Sequence, residues 1–197
     1  MKKLAFLIIP LVLFFSIVIP APVYAATFTV NSTIDAVDAN PGDGICASAT
    51  GECTLRAAIL EANAFLGDDT ITLPAGTYTL AIPGTNKFNS MTGSLDITDI
   101  LIISGSGESN TIIDGNNIDR VFFINSGFVV MSDLTITGGN GYAEGDGAAL
   151  SQLGGGMFTD YGIPTFLENI TFTGNTAVVG GGMYVYGTPI EMTGVTL

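Results

Sequence analysis

Apolar and polar residues alternate along most of this chain in runs too short for helices, a pattern that predicts β-strands. Thr27-Phe28-Thr29-Val30 opens the series. Thr70-Ile71-Thr72-Leu73, Thr77-Tyr78-Thr79-Leu80, Ser94-Leu95-Asp96-Ile97, Ile100-Leu101-Ile102-Ile103, Thr111-Ile112-Ile113, Val121-Phe122-Phe123-Ile124 and Phe128-Val129-Val130-Met131 follow. Gly, Asn and Asp turns separate them, and none is a two-residue hairpin signal. One stretch departs from this period. Leu55, Ala58, Ile59, Ala62 and Phe65 recur at helical spacing, with Thr54 placed to cap the start and Gly67 to stop the helix. Glu52 and Arg56 stand one turn apart there, an expected exposed pair.

The strands recur as a set. Gly154-Gly155-Gly156-Met157 returns as Gly180-Gly181-Gly182-Met183 after 26 residues, and Ile170-Thr171-Phe172 returns as Val195-Thr196-Leu197 after 25. Leu134 and Ile170 are 36 apart, one period plus an excursion over residues 142–152. That excursion carries Tyr142, Glu144 and Asp146 and reads as a loop able to contact a ligand. Periods of this size mark a solenoid. Three short strands per turn predict an all-β, right-handed parallel β-helix over residues 68–197. The single short helix covers the apolar end of its first coil. Leu134, Ile136, Ile170, Phe172, Val195 and Leu197 are expected inside and Thr135, Thr171 and Thr196 outside. Met157 should stack on Met183. The glycine triplets are expected to take positive φ at a corner, and Asn140 and Asn175 to stack as turn residues. Leu197 ends inside an apparent strand, which predicts a β-helix incomplete at its C-terminus.

Residues 1–25 read as a signal peptide. Met1-Lys2-Lys3 precedes an apolar run from Leu4 to Ile19, and Val23-Tyr24-Ala25 offers small residues for cleavage before Ala26. The run is interrupted by Pro10 and short for a membrane span, so the chain is not expected to be an integral membrane protein. Residues 26–67 are expected to form an N-terminal cap. Export exposes Cys46 and Cys53, the two cysteines, to an oxidising compartment, and a disulfide is expected; a pair of small buried thiols is the alternative.

Charge and composition narrow the chemistry. The chain has 18 acidic and 5 basic residues, for a net charge of −13, and every acidic residue lies after the leader. Such a surface repels phosphate backbones and excludes nucleic acid as a partner. There is no histidine, which removes serine–histidine, cysteine–histidine and zinc–histidine arrangements. Asp35, Asp38, Asn40 and Asp43 put four side-chain oxygen donors in nine residues, a composition that suits calcium. The spacing is not that of an EF-hand, since Gly42 is fifth from Asp38. A turn-rich loop whose carboxylates bond their own backbone explains the same residues, and both readings stay open.

Cys53-Thr54-Leu55-Arg56-Ala57-Ala58-Ile59 resembles the CSLREA domain, named for its Cys-Ser-Leu-Arg-Glu-Ala core. Thr replaces Ser and Ala replaces Glu. The first strand, the Asp-rich loop, both cysteines and Glu61-Ala62-Asn63 stand where that family has them, so the resemblance covers residues 27 to about 65. It implies a non-catalytic N-terminal module on exported bacterial proteins, leading into a pectin-lyase-like parallel β-helix. Phe172-Thr173-Gly174-Asn175 followed by Gly180-Gly181-Gly182-Met183 is similar to polymorphic outer-membrane protein repeats, which pair Phe-x-x-Asn with a Gly-Gly-Ala-Ile type motif. Here the third small residue is Gly and the aliphatic is Met. The earlier copy has Ile136 in place of Phe and one extra residue before Asn140. This second resemblance implies a surface-exposed, often adhesive passenger.

The expected function is therefore a secreted or outer-membrane-associated cell-surface protein with a non-catalytic, adhesin-like or structural role, its partner a carbohydrate or another surface ligand. The rival is a carbohydrate-active lyase or hydrolase. By analogy of fold such an enzyme would use clustered carboxylates, calcium and a basic side chain, here Asp96, Asp99, Asp114 and Asp119 near Arg120, with Lys87 as the other solenoid cation. No catalytic residue is predicted.

Overall fold

A computed structural model describes residues 24–84, 89–141 and 152–197. The leader up to residue 23, Lys87, and Tyr142, Glu144 and Asp146 of the excursion lie outside the described residues. Strand β1 (Thr27–Thr29) precedes helix α1 (Leu55–Ala64). Then come β2 (Asp69–Thr72), β3 (Gly76–Thr79), β4 (Leu95–Ile97), β5 (Leu101–Ser104), β6 (Thr111–Asp114) and β7 (Phe122–Ile124). They are followed by β8 (Val129–Thr137), β9 (Met157–Thr159), β10 (Thr165–Thr173), β11 (Met183–Val185) and β12 (Ile190–Thr193). Apart from α1, the regular elements among the described residues are all β-strands.

Every strand pairs in parallel with strands distant in sequence, as the absence of hairpin turns requires. One sheet follows the order β1-β2-β5-β8-β10-β12, with β3 and β6 joined to it through β8; the other runs β4-β7-β9-β11. The two nine-residue strands bend at Asp133 and Asn169, which adopt φ of +60° and +51°. Asp and Asn tolerate this left-handed conformation better than most residues. Asn169 Nδ2 donates to Asp133 Oδ1 at 3.0 Å, so the two bends are tied together. Before the bend β8 pairs with β5, and after it with β6.

Alternation sorts the side chains as the sequence predicts. Leu134, Ile136, Ile170 and Phe172 are buried, with Leu134 beside Ile170 and Ile136 beside Phe172. Met157 lies beside Met183. Val195 is partly buried against the core, whereas Leu197 is 71% exposed, against expectation. The asparagines also depart from expectation. Asn140 bridges Thr176, and Asn175 instead reaches the preceding row: Gly139 N–H donates to its Oδ1 at 2.8 Å and its Nδ2 donates to Ile136 O at 2.9 Å. The extra residue before Asn140 shifts the two copies out of step.

The glycine triplets are in register, but positive φ explains only their first members, Gly154 (+60°) and Gly180 (+66°). Gly155 serves close approach. A Cβ there would lie 2.4 Å from Thr176 O and 2.6 Å from Gly181 O.

Helix α1 seats Leu55, Ala58, Ile59 and Ala62 on the same apolar core as Ile71, Leu95 and Ile97. Thr54 caps it as expected, its Oγ1 accepting from Ala57 N–H at 3.1 Å and donating to Ala36 O at 2.6 Å. Phe65 is an extended C-cap and not the last member of the helical face, and Gly67 acts by close approach: a Cβ there would meet Tyr24 O at 2.3 Å. Cys46 and Cys53 form the expected disulfide. Among the described residues no helix is long and apolar enough to cross a membrane.

Candidate functional site

Polar residues from the N-terminal loop and α1 converge on the seam between α1 and the strands. Arg56 sits on the second residue of the helix and is fully buried. Its Nε donates to Asp35 Oδ1 at 2.6 Å and its Nη2 to Asp35 Oδ2 at 3.1 Å, a bidentate pair. The remaining N–H groups reach Ser90 O at 2.9 Å, Gly93 O at 2.9 Å and Ser94 O at 3.3 Å. Asp35 also accepts from Ala81 N–H at 2.7 Å and Ile82 N–H at 3.0 Å. One ion pair therefore joins the N-terminal loop, the helix and the segment leading into β4. Arg56 does not pair with Glu52 as expected, because its side chain points into the seam. Glu52 instead accepts from Ser48 Oγ at 3.0 Å.

Two further residues of α1 do similar work. Asn63 Nδ2 donates to Asp96 O at 2.7 Å, and Thr98 N–H donates to Asn63 Oδ1 at 2.9 Å, which bolts the end of α1 to the edge of β4. The buried Glu61 carboxylate accepts Gly42 N–H at 2.6 Å through Oε2 and Gly44 N–H through Oε1, holding the Asp-rich loop down on the helix. Burial raises the Glu61 pKa; the two N–H groups act in the opposite direction, and Asp38 and Asp43 add to the rise.

The four donors considered for calcium are spread across separate bonds. Asp35 is committed to Arg56. Asp38 accepts from Asn40 N–H and Ala47 N–H, both at 2.8 Å, and Asp43 accepts from Ile45 N–H at 2.9 Å. Asn40 contributes its backbone N–H to this turn. Among the described residues no group of three or more Asp, Glu, Cys or His side chains is placed to hold a metal ion.

The carboxylates considered for catalysis are not gathered either. Asp96 lies on β4 and Asp114 on β6, in different sheets. Asp96 Oδ1 accepts from Ser94 Oγ at 2.6 Å, Asp99 bonds Ile100 N–H, Asp114 bonds Asn116 N–H, and Asp119 bonds Arg120 N–H. Arg120 is only 1% exposed. Its guanidinium lies 5.5 Å from the Phe123 ring centre and 5.3 Å from that of Phe158, and Nη1 donates to Leu153 O at 2.8 Å. Buried between rings and backbone, it offers little as a base or an anion clamp.

A solvent-facing feature that sequence reading missed lies on the outer face of the larger sheet. A groove of about 300 Å³ is lined by Phe128, Val130, Phe166, Glu168, Glu191 and Thr193. The Phe128 and Phe166 rings are 5.2 Å apart. Register places Phe166 between Val130 and Glu191, and Glu168 between Ser132 and Thr193, so both carboxylates flank the rings. The alternation of Phe166 and Glu168 is visible in the sequence, but their meeting with Phe128 and Glu191 depends on pairing across 25 and 36 residues. Both described cations, Arg56 and Arg120, are buried, which leaves the described surface with carboxylates as its exposed charges.

No protein-family model, no curated protein and no solved structure matches this chain.

Proposed function

We propose that this chain is an exported, right-handed parallel β-helix capped by a CSLREA-like module, acting at the cell surface or outside the cell as a non-catalytic binding or structural protein. Parallel pairing at spacings of 23 to 43 residues supports the β-helix, as does the bend that divides β8 between β5 and β6. The CSLREA-like reading draws support from the three motif residues Arg56, Glu61 and Asn63, all spent on docking the cap. The function rests on one observation: the buried charged groups are bonded into the fold, while an aromatic groove with two carboxylates faces solvent. Its ligand is a carbohydrate or another surface group that stacks on Phe128 and Phe166 and donates hydrogen bonds to Glu168 and Glu191.

The test joins a product assay to a binding assay. Protein exported from expressing cells is incubated with acidic and neutral polysaccharides, with and without calcium, and passed over the same glycans immobilised. Retention without released product, lost in Phe166→Ala and in Glu191→Gln, is the expected result. Turnover of any of these polysaccharides overturns the non-catalytic reading.

A further inference from the structure

We infer that removal of the leader before Ala26 creates a further structural ion pair, between the new α-ammonium of Ala26 and the buried carboxylate of Asp69. The inference rests on the export reading above; what it adds is the fate of the new terminus. Ala26 N–H already donates to Asp69 Oδ1 at 2.8 Å across 43 residues of sequence. Asp69 is 0% exposed, and its other oxygen, Oδ2, is buried without a hydrogen-bond partner. An unpaired buried carboxylate oxygen is costly and needs an explanation. Burial raises the Asp69 pKa; the Ala26 N–H opposes the rise, and Asp99 and Asp68 add to it. In the unprocessed chain this carboxyl group has one neutral partner and acidic neighbours. It lacks a cation.

Cleavage supplies one at that atom. Hydrolysis of the Ala25–Ala26 bond by a peptidase consumes one water, leaves a carboxylate on Ala25 and an ammonium on Ala26. An amide nitrogen has one hydrogen to give; an ammonium has three, enough for Oδ1 and Oδ2 together. Ala26 need not move, because its carbonyl is already held by Thr70 N–H at 2.9 Å. The bond is reachable: Tyr24 is 64% exposed and Ala25 is exposed. The fold is thus completed by processing, and part of its stability is withheld until the leader has gone.

The pH sign follows. A free α-amino group titrates near about 7.7–8.0. Pairing with Asp69 raises that value in the folded state, so the stabilisation is full below the ordinary value and is lost as pH rises through the raised one. Asp99 and Asp68, the other charged groups acting on Asp69, are carboxylates too, so neither competes with the ammonium for Asp69.

The test uses residues 26–197 released from an N-terminal fusion so that Ala26 is first, compared with the same chain acetylated on its α-nitrogen. At pH 7 the free-amine form is expected to melt at least about 3 °C higher. Asp69→Asn should erase the difference, as should raising the pH above about 10. The amine itself should be acylated at least about tenfold more slowly in the folded than in the urea-unfolded chain, a readout that stands even if Asp69→Asn does not fold. Equal melting of the two forms, or equally fast acylation, overturns the pair. N-terminal sequencing of exported protein separates the two levels of the argument. Ala26 in first place supports both, another first residue overturns this inference alone, and retention of the leader inside the cell overturns the export reading.

Discussion

Replacing Arg56 by alanine tests whether α1 and the N-terminal loop are held on by directed polar bonds or by apolar contact alone. The substitution leaves Asp35 buried without its counter-charge and strips donors from Ser90 O, Gly93 O and Ser94 O. Removing one partner of a buried ion pair costs about 3–5 kcal/mol, against a total stability of about 5–15 kcal/mol for a domain. At about 2–4 °C per kcal/mol for a chain of this size, the Tm should fall by about 6–20 °C. Arg56→Lys keeps the charge but cannot fork across both Asp35 oxygens and the carbonyls, so about half the loss should remain. Adding Asp35→Ala to Arg56→Ala should cost less than the sum of the single changes, since the orphaned carboxylate is then gone. Urea melts followed by circular dichroism give these values. Hydrogen exchange gives the location: the Ala81 and Ile82 amides, which rest on Asp35, should lose protection first. A loss under about 1 kcal/mol for Arg56→Ala, or a lysine variant equal to wild type, would refute the reasoning.

Three more outcomes follow from the same geometry. Reducing Cys46–Cys53, which closes a loop of sequence separation 7, should destabilise the chain by about 2–3 kcal/mol, read as a lower urea midpoint in reductant; an unchanged midpoint counts against it. Burial raises the Glu61 pKa, so the proton is held more tightly in the folded chain than in the unfolded one, and stability from this group falls as pH climbs from about 4.5 through the raised value. The difference in Tm between wild type and Glu61→Gln should therefore shrink between pH 4 and pH 7, and growth of that difference would contradict the assignment. Gly155→Ala forces a methyl group against Thr176 O and Gly181 O, backbone atoms that cannot swing aside, and should lower stability by more than about 2 kcal/mol in a thermal melt. Wild-type behaviour would mean that the strand rows separate more easily than their spacing indicates.

What the sequence made legible and what it hid divide along a physical line. The strands, the helix and the inward positions depend on local period, and Leu134, Ile136, Ile170 and Phe172 are buried as alternation requires. The disulfide was expected from two cysteines in a chain read as exported. Arg56 shows the limit: its partners lie 21 to 38 residues away, three of them backbone carbonyls that have no signature in residue type. The same gap explains why Asp35 could be read as a calcium donor and why the Phe128–Phe166 groove went unseen. Periodicity says which way a side chain points, and register says what it meets.

That distinction also bears on why α1 carries so many buried polar residues. Leu55, Ala58, Ile59 and Ala62 account for the attraction of the helix to the core, but apolar burial is non-directional and would tolerate a helix slid or rotated on its seat. Arg56, Glu61 and Asn63 each bond a different segment: the run into β4, the Asp-rich loop, and the edge of β4 itself. Three contacts to three segments fix both position and rotation. These residues thus set the register in which the first strands are presented to the rest of the sheet, and every later row inherits it through parallel pairing. By this argument Asn63→Ala should do little to the attraction of the helix but loosen the edge of β4, with exchange at Thr98 rising while the protection of β10 is unchanged. Uniform loss of protection across β4 and β10 would show instead that helix and strands melt as one unit and that the polar bonds carry no separate positional role.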